Sequence, residues 1–127
     1  MIDWMDVRNG KTIKQDVRIA LSPKGDYLVI AIKRGLWITK LHRADKIAVG
    51  FSTNNGIPTA MYFAQSSSGY AAIRKEKGGD TVGIQMATSK LLAKYPRLKV
   101  SELQGDYLLR EDPAEKACYI SLGAKSY

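Results

Sequence analysis

From Val17 the chain alternates, with Val17, Ile19 and Leu21 set against Arg18, Ala20 and Ser22. This is the period-two pattern of a half-buried strand. Pro23 to Asp26 supply a turn in which Gly25 is free to take a positive φ. Residues 27–32, YLVIAI, are apolar on both faces and predict a central strand. Residues 33–44, KRGLWITKLHRA, place Leu36, Trp37, Lys40 and Leu41 at helical spacing, which predicts a short helix. Ile47, Val49 and Phe51 then share one face of a strand. TNNGIP, residues 53–58, is a strong turn signal, and TAMYFA, residues 59–64, returns as a strand.

The second half reads in the same order. GYAAIRKE and DTVGIQM predict a hairpin around residues 77–80, KGGD. ATSKLLAKYP, residues 87–96, predicts a short helix with Thr88 or Ser89 as N-cap, Leu91, Leu92 and Tyr95 toward the core, and Pro96 as its end. GDYLLRE and KACYISL predict a closing hairpin around residues 112–115, DPAE. The expectation is a β-rich α+β domain of about eight strands, one for each of these extended runs. Its two pseudo-equivalent strand–strand–helix–strand–strand halves, 17–65 and 69–123, meet at SSSG (66–69) and share one core. Residues 1–16 read as an N-terminal arm, with Trp4 docking on the body formed by 17–127.

Length and composition fit that picture. The chain has 127 residues, 45% hydrophobic and 25% charged, with four prolines, a globular rather than disordered balance. Cys118 is the single cysteine, so neither a disulfide framework nor a cysteine zinc cluster is available. It shares a strand face with Ile120 and Leu122 and is expected as a buried, inert thiol. The acids near the N-terminus exclude a signal peptide, and no apolar run is long enough to span a bilayer. A soluble, cytoplasmic protein without a cofactor or metal is expected.

Charge changes the picture most. The formal net charge is +8, which favours an anionic partner. No acid occurs between Tyr27 and Ala44, which carry Lys33, Arg34, Lys40 and Arg43. None occurs between Thr81 and Ser101, which carry Lys90, Lys94, Arg97 and Lys99. Lys90 and Lys94 are four apart and share a helix face. Lys33 and Arg34 follow a strand that needs no charge for its burial, so they are expected to point outward. Arg74, Lys75 and Lys77 add cations at a predicted hairpin tip, partly offset by Glu76.

Residues 25–64 carry a glycine before the V-I-x-I strand, a short helix ending in Leu41, and Asp45 before the alternating I-x-V-x-F strand. A turn and a last strand complete the segment, which resembles the SpoVT/AbrB type of swapped-hairpin DNA-binding domain. In that family two such units interlock, and basic residues around the short helix and loops grip duplex DNA. The resemblance assigns this role to Lys33, Arg34, Lys40 and Arg43, with Lys90, Lys94 and Arg97 in the second half. The sequence departs from the family at Ala31, where proline is usual, and at Asp26, where a basic residue is common.

Catalytic constellations are absent from the sequence. His42 is the sole histidine and has no carboxylate at a motif-like spacing; Ser66 to Ser68 are a linker, and GGD lacks the rest of a P-loop. Asp3, Asp6 and Asp16 do not cluster like metal ligands. The reading is a non-enzymatic, regulatory duplex DNA-binding protein that can form a homodimer. Two alternatives stay open. Exposed aromatics such as Tyr27 and Tyr70, and less readily Trp37 and Tyr62, could stack on unpaired bases. Otherwise the cations dock an inhibitor or adaptor onto an acidic protein surface.

Overall fold

Gly25 takes φ 75° and its N–H donates to the Ser22 carbonyl, closing a hairpin between β1 (Val17–Leu21) and β2 (Tyr27–Lys33). The computed structural model describes residues 16–74 and 81–123, without the side chains of Ile73 and Arg74. Residues 1–15 of the predicted N-terminal arm, with Trp4, Asp3 and Asp6, and the tip carrying Lys75 and Lys77, lie outside the described residues. The further strands are β3 (Lys46–Asn54), β4 (Ile57–Gln65), β5 (Tyr70–Ala71), β6 (Ile73–Arg74), β7 (Thr81–Ala87), β8 (Gly105–Tyr107), β9 (Arg110–Asp112) and β10 (Ala117–Ser121). They form two antiparallel five-stranded sheets, in the orders β6-β7-β2-β1-β8 and β5-β3-β4-β10-β9. The protein is α+β and strand-rich, as the alternation predicts.

Register explains the first sheet. Val17 pairs with Ile32 and Ile32 with Val82; Ile19 pairs with Ile30 and Ile30 with Ile84. These side chains form a grid on one face and are buried. The apolar run of β2 lies between β1 and β7, because a strand with neighbours on both sides tolerates apolar residues on both faces. In the second sheet Ile47, Met61, Phe63, Cys118 and Ile120 point inward and are buried. Buried side chains of both sheets form a single contiguous core.

The expected count of eight strands is too low, because two of the predicted strands each divide between the sheets. In GYAAIRKE, β5 pairs with β3 and β6 pairs with β7, and between them Ala72 N–H donates to the Asp45 carbonyl at 2.9 Å. In GDYLLRE, β8 pairs with β1 and β9 pairs with β10. Between these, Leu109 N–H donates to Asp16 Oδ2 at 2.8 Å, giving Asp16 a structural role. Local sequence marks such runs as extended but does not choose the sheet that each part joins.

Two glycines are required by geometry. Asn55 and Gly56, at φ 55° and 79°, make the tight β3–β4 turn that Asn-Gly favours. A Cβ on Gly69 would lie 2.2 Å from the Ile47 carbonyl oxygen, so only glycine lets the 66–69 connection press against β3.

Candidate nucleic-acid interface

Both helices begin on the residue after a strand of the β2–β7 pair. α1 (Arg34–Thr39) follows Lys33, and α2 (Thr88–Lys94) follows Ala87. Neither has a side-chain N-cap. The expected capping by Thr88 or Ser89 is replaced by another bond: the Thr88 hydroxyl donates to the Gly25 and Asp26 carbonyls at 2.8 and 3.0 Å. That docks α2 on the β1–β2 turn. Short uncapped helices need tertiary anchors, here Trp37 in α1 and Leu91 in α2, both buried. Leu92, expected in the core, is 38% exposed, because a seven-residue helix buries only one narrow stripe. Tyr95 is half-buried and meets Phe51 edge-on, with ring centroids 5.3 Å apart.

β2 and β7 pair antiparallel, from Tyr27 opposite Ala87 to Lys33 opposite Thr81. The helices therefore start at opposite ends of this pair, on the order of 20 Å apart at about 3.3 Å per strand residue. Their exits reach opposite ends of the second sheet. After α1, Lys40 Nζ donates to Glu111 Oε1 in β9 at 2.6 Å. After α2, Arg97 donates to the Asn55 carbonyl at the β3–β4 tip at 3.3 Å.

The expected contact residues divide by what their side chains meet. Arg34, Arg43, Lys90 and Lys99 are exposed and make no ion pair among the described residues. Lys94 is exposed, its Nζ 5.6 Å from the Tyr95 ring centroid, and Arg97 makes only its carbonyl contact. Lys33 is half-buried at the end of β2, and its N–H is tied to the Asp16 carbonyl. Lys40 is committed to Glu111. The side chain of Arg74 lies outside the described residues.

Loop geometry sets the exposure of Arg43. His42 and Arg43 both take left-handed φ, 53° and 55°, a conformation costing about 1–3 kcal/mol each outside glycine. Trp37 holds the turn: its Nε1 donates to the Ala44 carbonyl at 2.8 Å, while Arg43 N–H donates to the Trp37 carbonyl. His42 is exposed in the middle of this turn.

The aromatics fall differently from expectation. Tyr27 is 47% exposed, Tyr70 is half-buried against the core, and Trp37 is buried. Tyr62, between the inward Met61 and Phe63, points to the outer face and stacks on Tyr119 at 5.1 Å and 24°. Its hydroxyl donates to Asp112 Oδ2 at 3.3 Å. Tyr62 was a less favoured stacking candidate and Tyr119 was not among the expected residues, although the alternation of both against their buried neighbours marks them as outward. No charged residue lies between Lys46 and Arg74, so β3 and β4 beneath Tyr62 are uncharged beyond Lys46.

Ionisation follows these contacts. The hydrogen bond to Glu111, reinforced by its charge, raises the Lys40 pKa. Burial and then the charges of Asp112 raise that of Tyr62. Burial, with the Glu111 charge behind it, pushes the Cys118 thiol up, so Cys118 is held as an unreactive thiol. Asp106 is buried on the neighbouring strand and takes Arg18 Nε at 2.7 Å.

No protein-family model, curated protein or solved structure matches the chain. Among the described residues no helix is long and apolar enough to cross a membrane.

Proposed function

We propose that the chain is a non-enzymatic, regulatory DNA-binding protein that grips duplex phosphates through the α1 and α2 stretches. The observation that carries this reading is the placement of two acid-free, cation-bearing helices at opposite ends of one antiparallel strand pair. At about 3.4 Å per base pair, their spacing on the order of 20 Å matches some six base pairs of duplex. In this reading the two halves are pseudo-equivalent units interlocked within one chain, as the AbrB-like segment implies for a family dimer. Lys33, Arg34, Arg43, Lys90, Lys94, Arg97 and Lys99 supply the phosphate contacts, with Arg74, Lys75 and Lys77 adding to them.

A titration with duplex DNA and with single-stranded DNA, each at low and physiological salt, tests the reading. Duplex preference and a steep salt dependence are expected, and replacing Lys33 and Arg34 together by alanine lowers the salt slope by about two units. Unaltered affinity and slope in that variant would make both residues ordinary solvated cations. The stacked Tyr62–Tyr119 pair favours a second reading, in which unpaired bases stack on the outer face of the second sheet. Tighter single-strand binding, lost on replacing Tyr62 or Tyr119, selects it. No binding to either nucleic acid at low salt leaves an acidic protein surface as the partner.

A further inference from the structure

Among the described residues, Lys40 differs from the other cations of the proposed interface. It stands at the C-cap of α1, and its ammonium reaches a strand of the other sheet to meet Glu111 at 2.6 Å. Both side chains keep contact with water, at 39% and 58% exposure, so this is an exchangeable surface pair rather than a buried one. An adjoining cleft of about 380 Å³ is lined by Lys40, His42, Gln65 and Lys116, three of them basic side chains. The α2 side has no equivalent: Lys90 and Lys94 meet no carboxylate among the described residues.

A carboxylate oxygen on an ammonium occupies the place that a phosphate oxygen would take, with the same charge and a similar bond length. We propose that Glu111 is an internal competitor for phosphate at Lys40, weakening nucleic-acid binding at the α1 end alone. This rests on the DNA-binding reading above. A phosphate at Lys40 competes with Glu111 for the same ammonium, and an exposed pair of this kind holds back affinity by about two- to five-fold. Removing the competitor frees one cation, so the salt slope steepens by about one unit.

The experiment uses the full chain and a short fluorescein-labelled duplex, titrated across a salt series. Glu111→Gln is compared with wild type and with Glu115→Gln, which makes the same charge change at an exposed carboxylate without an ion-pair partner among the described residues. Glu111→Gln is expected to bind about two- to five-fold tighter with the steeper slope, Glu115→Gln to change the slope little, and the gain to vanish on a Lys40→Ala background. Wild-type binding with Glu111→Gln matching either wild type or Glu115→Gln overturns the competitor and leaves the DNA reading standing. A gain that persists without Lys40 also overturns it. Binding by Glu111→Gln where wild type fails supports it, and failure of both proteins at low salt removes both readings together.

Discussion

The α1 and α2 stretches carry equal charge in sequence and unequal charge in space. Each lacks acids and holds four cations. Around α1, one cation is half-buried, one is paired with Glu111, and Arg43 is presented by a left-handed turn hung on Trp37. Around α2, Lys90, Lys94 and Lys99 meet no acid, and Arg97 touches only a carbonyl. The acid that separates the two sites stands 71 residues beyond Lys40. Acid-free composition along a segment therefore measures its local field, while the strand packed across from it decides how many cations stay free.

The largest expected difference is in stability. Trp37 is buried, holds the 40–44 turn and is the principal anchor of α1. Trp37→Ala is expected to cost about 3–5 kcal/mol and Leu91→Ala nearer the lower end of about 2–5 kcal/mol, read from urea midpoints. Equal losses would mean that the left-handed turn contributes nothing to the anchoring of α1.

On the α2 side, the chain continues through a 3-10 turn (Val100–Leu103) to β8, where the Tyr107 hydroxyl donates to the Leu103 carbonyl. Burial pushes the pKa of Tyr107 up to about 12, against about 10 when unfolded. Between these values the folded state holds a proton that the unfolded chain releases, so stability is complete below pH 10 and falls as pH rises toward 12. The loss is on the order of 2–3 kcal/mol. Tyr107→Phe is expected to flatten that alkaline slope, measured by denaturant unfolding at several pH values. An unchanged slope would place the titration elsewhere.

The smallest effect sharpens the electrostatic contrast. Replacing Lys90, Lys94 and Arg97 together by alanine is expected to lower the duplex salt slope by about three units. The matching change of Arg34, Lys40 and Arg43 lowers it by about two, because Lys40 begins occupied. Equal reductions would erase the distinction between the two ends.

Much of the fold was legible in particular residues. The alternation of Val17, Ile19 and Leu21, the two-faced run of β2, the Asn55-Gly56 turn, the Pro96 stop and the buried Cys118 all follow from periodicity and local backbone chemistry. The division of GYAAIRKE and GDYLLRE between two sheets was not legible, nor was the departure of Thr88 from a capping role. Both depend on which distant backbone groups lie within hydrogen-bonding reach.

By itself the sequence determined a basic, strand-rich chain with two short helices, each following an apolar strand, because periodicity and charge are properties of neighbouring residues. Tertiary structure alone decided that the helices stand at opposite ends of the β2–β7 pair. It also decided that Tyr62 meets Tyr119 on an open face and that Lys40 meets Glu111. Each of these is a contact across strands far apart in the chain, set by register and sheet order, and no local pattern encodes its partner.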